Sequence, residues 1–208
     1  GKLALLELVL PPVCRLCNAP IRTSDDFCRG CELALCVSQS TMRSGCPKCG
    51  MPQGAMSQMS NRGSSGEGCP HCRDQELQFD RAIALWAYRD LVCEAVVAAK
   101  YPRQAALGDA LGRRLAEIVG GIVAADLPDV VTYVPSCLTR RVARGGNGAA
   151  VIASAVAQGI GRPCRPLLRT TRRIAKQAWL DDQQRLENVH GAFAMKRSYA
   201  FPRTPQPP

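Results

Sequence analysis

Histidine is nearly absent from this chain, aromatic residues are few, and no long apolar run occurs in its 208 residues. Each shortage excludes something. The two histidines are His71 and His190, so no general base stands out, and only His190 lies outside the cysteine-rich region. The ten aromatic side chains leave the interval Cys28–Cys72 bare, which argues against base stacking by that region. No stretch approaches the roughly 18–20 apolar residues that a membrane span requires. The opening Gly1–Leu10 is apolar but short, is interrupted by Glu7 and lacks a small-residue cleavage site. It reads as a short helix that packs on something rather than a secretory signal, and a cytoplasmic location is the expectation. Acidic residues are also scarce: 17 against 27 basic ones give a formal charge of +10. Such a balance suits polyanions, whether nucleic acid or phosphorylated small molecules.

Cysteine, by contrast, is abundant and ordered. Nine of the twelve cysteines precede residue 73, and eight form four Cys-x-x-Cys pairs: Cys14/Cys17, Cys28/Cys31, Cys46/Cys49 and Cys69/Cys72. Two thiolates three positions apart on a tight turn bite one metal ion, and two such turns complete a tetrahedral shell. The pattern therefore predicts two structural Cys₄ zinc sites, the first joining Cys14/Cys17 to Cys28/Cys31, the second Cys46/Cys49 to Cys69/Cys72. Both have four thiolates and no open position, the mark of a structural rather than a catalytic metal. Much of the folding energy of so small a module comes from the ion, on the order of 10–16 kcal/mol per zinc in peptide models. Pro47, Gly50 and Pro70 are suitable turn formers, and Met51–Gly68 reads as a Gly/Ser-rich loop. Cys36 falls outside the spacing and is expected to be a buried thiol; His71 lies inside a pair whose four thiols already fill the site.

After Phe79 the pattern changes to alternating strands and helices. Ala82–Tyr88 reads as a strand, Leu91–Lys100 and Ala105–Val119 as helices, the latter with Leu107, Leu111, Leu115 and Ile118 on one face. Asp129–Pro135 is a β-branched strand, Asn147–Ile160 a small-residue helix, Arg165–Arg169 a further strand, and Asp181–Asn188 a short helix. The expected class is α/β with a parallel sheet. The arginine-rich stretch Ser136–Gly148 would then be a loop at the carboxyl end of a strand, where such sheets bind ligands.

These features together resemble the ComF/GntX family, which joins a double zinc ribbon to a type I phosphoribosyltransferase domain. The likeness runs from about residue 3 to residue 194. It rests on the four Cys-x-x-Cys pairs, Phe79-Asp80-Arg81, Tyr88, Lys100-Tyr101, Val134-Pro135, Arg140-Arg141 and Arg144-Gly145-Gly146-Asn147-Gly148. A later set matches as Gln177, Leu180, Arg185, Asn188 and Ala192-Phe193. Two departures stand out: Gly146 replaces an aromatic of the family pattern, and Gly148 a glutamine.

The resemblance implies a double zinc ribbon at residues 1–74, an incomplete phosphoribosyltransferase-like parallel sheet with flanking helices at 75–194, and a disordered proline-rich tail at 195–208. It implies phosphoribosyl pyrophosphate, with magnesium, as ligand, and Arg140, Arg141, Arg144, Asn147 and Lys100 as phosphate contacts. Arginine suits the role because its planar fork grips two phosphate oxygens at once. It also implies a place in competence and DNA uptake, with single-stranded DNA and uptake proteins as partners. The family's Asp-Asp-Val-x-Thr-Thr-Gly loop, which holds the ribose 5-phosphate, does not occur in the 208 residues. Four prolines in the last seven residues read as an unrelated tail after premature truncation, so catalysis is left open. The competing expectations are a non-catalytic zinc-ribbon module for nucleic acid or protein, and an inactive fragment.

Overall fold

A computed structural model describes residues 11–22, 25–42, 45–52, 68–124 and 126–199. The short helix expected in Gly1–Leu10, most of the Met51–Gly68 loop and the last nine residues lie outside these. The chain divides into two compact units with the boundary between Ala98 and Ala99. Residues 75–98, expected to open the second domain, thus group with the cysteine-rich region.

In the first unit α1 spans Arg29–Met42 and α2 spans Asp90–Ala98. Only Cys31 and Leu35 of α1 are buried. Cys36 is exposed rather than buried, because one residue beyond Leu35 turns about 100° around the helix, away from the buried stripe. The predicted strand Ala82–Tyr88 does not form. Its backbone groups find other partners: the Ala82 N–H donates to the Lys48 carbonyl at 2.9 Å, and the Ala87 N–H to Ser38 Oγ on α1 at 3.1 Å. An apolar run reads alike whether it pairs with a strand or lies across a helix, and here it does the latter.

The second unit is built on α3, Ala105–Ile122, and α5, Gly148–Gly159, with the short α4, Leu138–Arg144, between them in sequence. The small-residue helix α5 packs on α3, where packing on a sheet was expected. The seam is a stripe of small residues. A Cβ at Gly112 would stand 2.6 Å from the Ala155 Cβ and 2.8 Å from the Ile152 carbonyl, and one at Gly159 would stand 2.4 Å from the Ala116 Cβ. Gly108, Gly112 and Ala116 recur every four residues, so they line one face of α3 and let the backbones approach. Leu107, Ala110 and Leu111 are buried beside them.

The sheet of this unit has two strands, β1 (Leu168–Thr170) and β2 (Phe193–Met195), antiparallel with Leu168 opposite Met195. Of the parallel pairing expected from Asp129–Pro135, the described residues hold one bridge, Val131 beside Cys164, closed by Val131 N–H to the Pro163 carbonyl and Arg165 N–H to the Val131 carbonyl, both 2.9 Å. A wider parallel sheet does not appear among the described residues. β2 reaches into the stretch expected to be disordered, the Lys196 N–H donates to the Leu167 carbonyl, and Arg197–Tyr199 forms a 3₁₀ turn. Between the strands, α6 (Asp182–Val189) starts with a capping box in which Asp181 and Gln184 satisfy one another's backbone N–H.

Candidate metal centres and phosphate-contact residues

Cys14 and Cys17 sit on a knuckle in which the Cys14 N–H donates to the Ala19 carbonyl and the Asn18 N–H to the Cys14 carbonyl. The turn requires a positive φ at Asn18, +59°, a conformation Asn tolerates. The same design recurs at the second pair. There the Cys46 N–H donates to the Met51 carbonyl, the Gly50 N–H to the Cys46 carbonyl, and Gly50 takes φ +72°. The partners come from turns at helical spacing: Cys28 and Cys31 from the start of α1, and Cys69 and Cys72 from a turn whose Arg73 N–H donates to the Cys69 carbonyl. Glycine precedes that turn because a Cβ at Gly68 would lie 2.6 Å from the Cys72 sulfur.

The result is two separate thiol clusters, Cys14–Cys17–Cys28–Cys31 and Cys46–Cys49–Cys69–Cys72, whose sulfurs lie within 4.8 Å of one another. A tetrahedral shell with Zn–S bonds of about 2.3 Å places its sulfurs about 3.8 Å apart. The observed Sγ–Sγ distances of 3.5 Å (Cys17–Cys28), 3.8 Å (Cys46–Cys72), 3.6 Å (Cys49–Cys69) and 3.9 Å (Cys69–Cys72) fit that shell. Both pairings are those expected from the spacing, and the donor set suits zinc. His71 is exposed and outside the cluster, and so is Cys36.

The backbone prepares these thiols unevenly. Burial disfavours the Cys14 thiolate, but amides of Cys17, Cys28 and Leu16 outweigh it and hold the thiol down at about 6. Cys46 is likewise about 6: burial opposes ionisation, and amides of Cys49 and Lys48 override it. Burial and the neighbouring thiols push Cys49 up to about 12 and raise Cys31 as well. Each cluster thus contains one thiol primed to ionise and another that ionises only with a cation present, as a metal-binding set should.

The five expected phosphate contacts all fall in the second unit, but their surroundings differ. Lys100 and Asn147 come together through glycine. A Cβ at Gly148 would lie 2.0 Å from the Ala99 carbonyl and 2.9 Å from the Lys100 Cα, and one at Gly146 would meet the Pro102 ring at 2.7 Å. The glutamine and aromatic of the family pattern could not occupy these positions in this backbone. Asn147 precedes α5 without capping it, and its buried Oδ1 has no hydrogen-bond partner.

Arg140, Arg141 and Arg144 lie on α4, a helix where a loop was expected. Arg140 is engaged: its Nη2 donates to the carbonyls of Ile174 and Ala175, the latter at 2.7 Å. Arg141 is exposed and Arg144 half-buried, and neither has a carboxylate at ion-pair distance among the described residues. Arg173 lies near enough to Cys137 for its charge to act there. The Thr139 hydroxyl is the main influence that lowers the Cys137 thiol, followed against burial by the Arg140 amide and the charges of Arg140 and Arg173.

The later motif residues turn out to be scaffold. Asn188 exchanges two hydrogen bonds with the backbone of Ala175, Arg185 donates to the Gln177 carbonyl, and Ala192 is fully buried beside β2. Arg172 donates to the carbonyls of Glu187, Asn188 and His190 and closes the end of α6. Its spacing from α6 in sequence carries no signal of this.

Charge separates the units. Residues 1–98 contain ten basic and ten acidic side chains, and residues 99–208 seventeen and seven. No helix among the described residues is long and apolar enough to cross a membrane. Comparison with protein-family models, with curated proteins and with solved structures finds no match.

Proposed function

We propose that this chain is a ComF-type, phosphoribosyltransferase-like protein in which a zinc-braced module accompanies a basic unit that binds a phosphorylated ligand at the start of α5. One observation carries this reading: the Gly146-Asn147-Gly148 turn seats the beginning of a 12-residue helix against the backbone of Ala99 and Lys100. A helix N-terminus offers free N–H groups to an anion, and Lys100, whose backbone passes beside it, is the cationic residue nearest in the chain path. The α3–α5 packing and the parallel bridge at Val131 support a reduced version of the transferase-like half, with Arg141 and Arg144 as outer contacts and Arg140 as a tie between segments. The ligand class is a sugar or nucleotide phosphate such as phosphoribosyl pyrophosphate, with magnesium. Turnover is not part of the proposal, since the acidic Thr-Thr-Gly loop is missing from these residues.

Calorimetric titration of the zinc-loaded chain with magnesium phosphoribosyl pyrophosphate tests it. Micromolar binding is expected, weakened about tenfold or more by Lys100→Ala, as loss of a charge-assisted contact implies. Absence of heat from folded protein overturns it.

The charge partition favours a second reading, single-stranded DNA bound by the same unit through its phosphates. Its signature is affinity that falls steeply with added salt and survives Lys100→Ala. If neither ligand binds, the zinc-ribbon docking module is what stands.

A further inference from the structure

Solvent reaches the two thiol clusters unequally. In the second, Cys46, Cys69 and Cys72 are 2, 3 and 0% exposed, and Leu77 packs against them together with Cys49. In the first, Cys14 and Cys31 are buried at 0 and 7%, but Cys17 is exposed and Cys28 partly so. Those two accessible sulfurs are also neighbours, 3.5 Å apart, one on the knuckle and the other just before α1.

We propose that Cys17 is a peroxide-reactive modification site, and that it forms a disulfide with Cys28 that dismantles the first metal centre while the second survives. The Cys17 thiolate attacks one oxygen of a hydroperoxide; the O–O bond breaks, hydroxide leaves, and Cys17 becomes a sulfenic acid. The Cys28 thiolate then attacks that sulfur, forming the S–S bond and expelling a second hydroxide. The two thiolates lose two electrons, which the peroxide takes up. Closing from 3.5 Å to a disulfide length of about 2.05 Å is a movement of about 1.5 Å, within reach of a turn beside a helix end. The buried Cys14 and Cys31 alone cannot complete a four-coordinate shell, so the ion departs. At the second cluster no thiol is exposed and only Cys49 is partly so, its cluster neighbours being buried with Leu77 packed against them.

The inference rests on both clusters holding metal, so the zinc content of the full chain is measured first; fewer than two ions per chain removes that premise by a separate readout. The fully loaded chain is then treated with limiting hydrogen peroxide. Released zinc is followed with a chromophoric chelator, and each cysteine is scored by differential alkylation and mass spectrometry. The expected result is two phases, the first about tenfold faster, coinciding with a Cys17–Cys28 disulfide peptide. A dithiol reductant should restore the first site. Cys36→Ser, which removes the exposed thiol on α1 outside both clusters, should change nothing. Simultaneous release of both ions, earlier loss from the second cluster, loss that reductant does not reverse, or oxidation confined to Cys36 without zinc release would each overturn the proposal.

Discussion

The two units of this chain solve the problem of a small core in opposite ways. The first, with as many acids as bases, places its least exposed atoms largely in cysteine sulfur; its second cluster is itself a core, with Leu77 and Cys49 packed on three buried thiols. The second unit carries the whole +10 surplus and is held by a seam where glycine and alanine let two helices touch. A domain that leans on a metal needs few large side chains, whereas one that leans on backbone contact tolerates no added Cβ along its seam. Three cations of the second unit belong to its scaffold, Arg140, Arg172 and Arg185, whose guanidinium groups bind backbone carbonyls.

Metal removal breaks the comparison most sharply. Chelation at neutral pH should unfold the first unit, with a loss on the order of 10–16 kcal/mol per zinc, while the second keeps its helices. Hydrogen exchange should show residues 28–42 and 90–98 losing protection and residues 105–122 and 148–159 retaining it.

Acid should produce the same selective loss. The metal-bound folded state carries thiolates where the unfolded chain carries thiols, so unfolding takes up protons and stability rises with pH. Going down, protons already compete for Cys49, pushed up to about 12, and for Cys31. Below about pH 6 even Cys14 and Cys46 protonate and metal should leave. Zinc retention measured across pH 7 to 5 checks the sign; increased retention on acidification would contradict it.

Smaller effects test the second unit. Gly112→Val should destabilise it by about 1–3 kcal/mol through overpacking against Ala155 and the Ile152 carbonyl, with zinc content unchanged. Thermal unfolding of the variant together with metal analysis checks both halves of that statement. The slightest change is Asp181→Ala, which removes the cap of α6 and should cost about 1 kcal/mol, visible as faster exchange at Gln184.

How far the sequence could be read follows the range of each interaction. The thiol pairings were legible because ligand spacing is local, and so were α3, α5 and α6, whose boundaries shift by only a few residues. Expectation and structure part where a partner had to be supplied from elsewhere. Ala82–Tyr88 looks like a strand, yet its neighbours are a knuckle carbonyl and a serine on α1. The small residues of α5 announced close packing without saying on what. Arg140 reads as a phosphate contact from its residue type; that its Nη2 also reaches two carbonyls about 35 positions further along the chain has no local signal. Gly146 and Gly148 looked like decay of a motif; with the backbone in view they are the residues that let it pass Ala99 and Pro102.

The repeated knuckle has a bearing on how the chain comes into being. All four ligands of the first cluster precede all four of the second, and each set closes within one short stretch. A chain emerging from the ribosome at about 5–20 residues per second presents a complete first set before the second set exists. Mispairing among eight chemically equivalent thiols is thereby limited by order of arrival rather than by shape. Metal supply during translation, and not only afterwards, then bears on how the two sets of thiols are sorted.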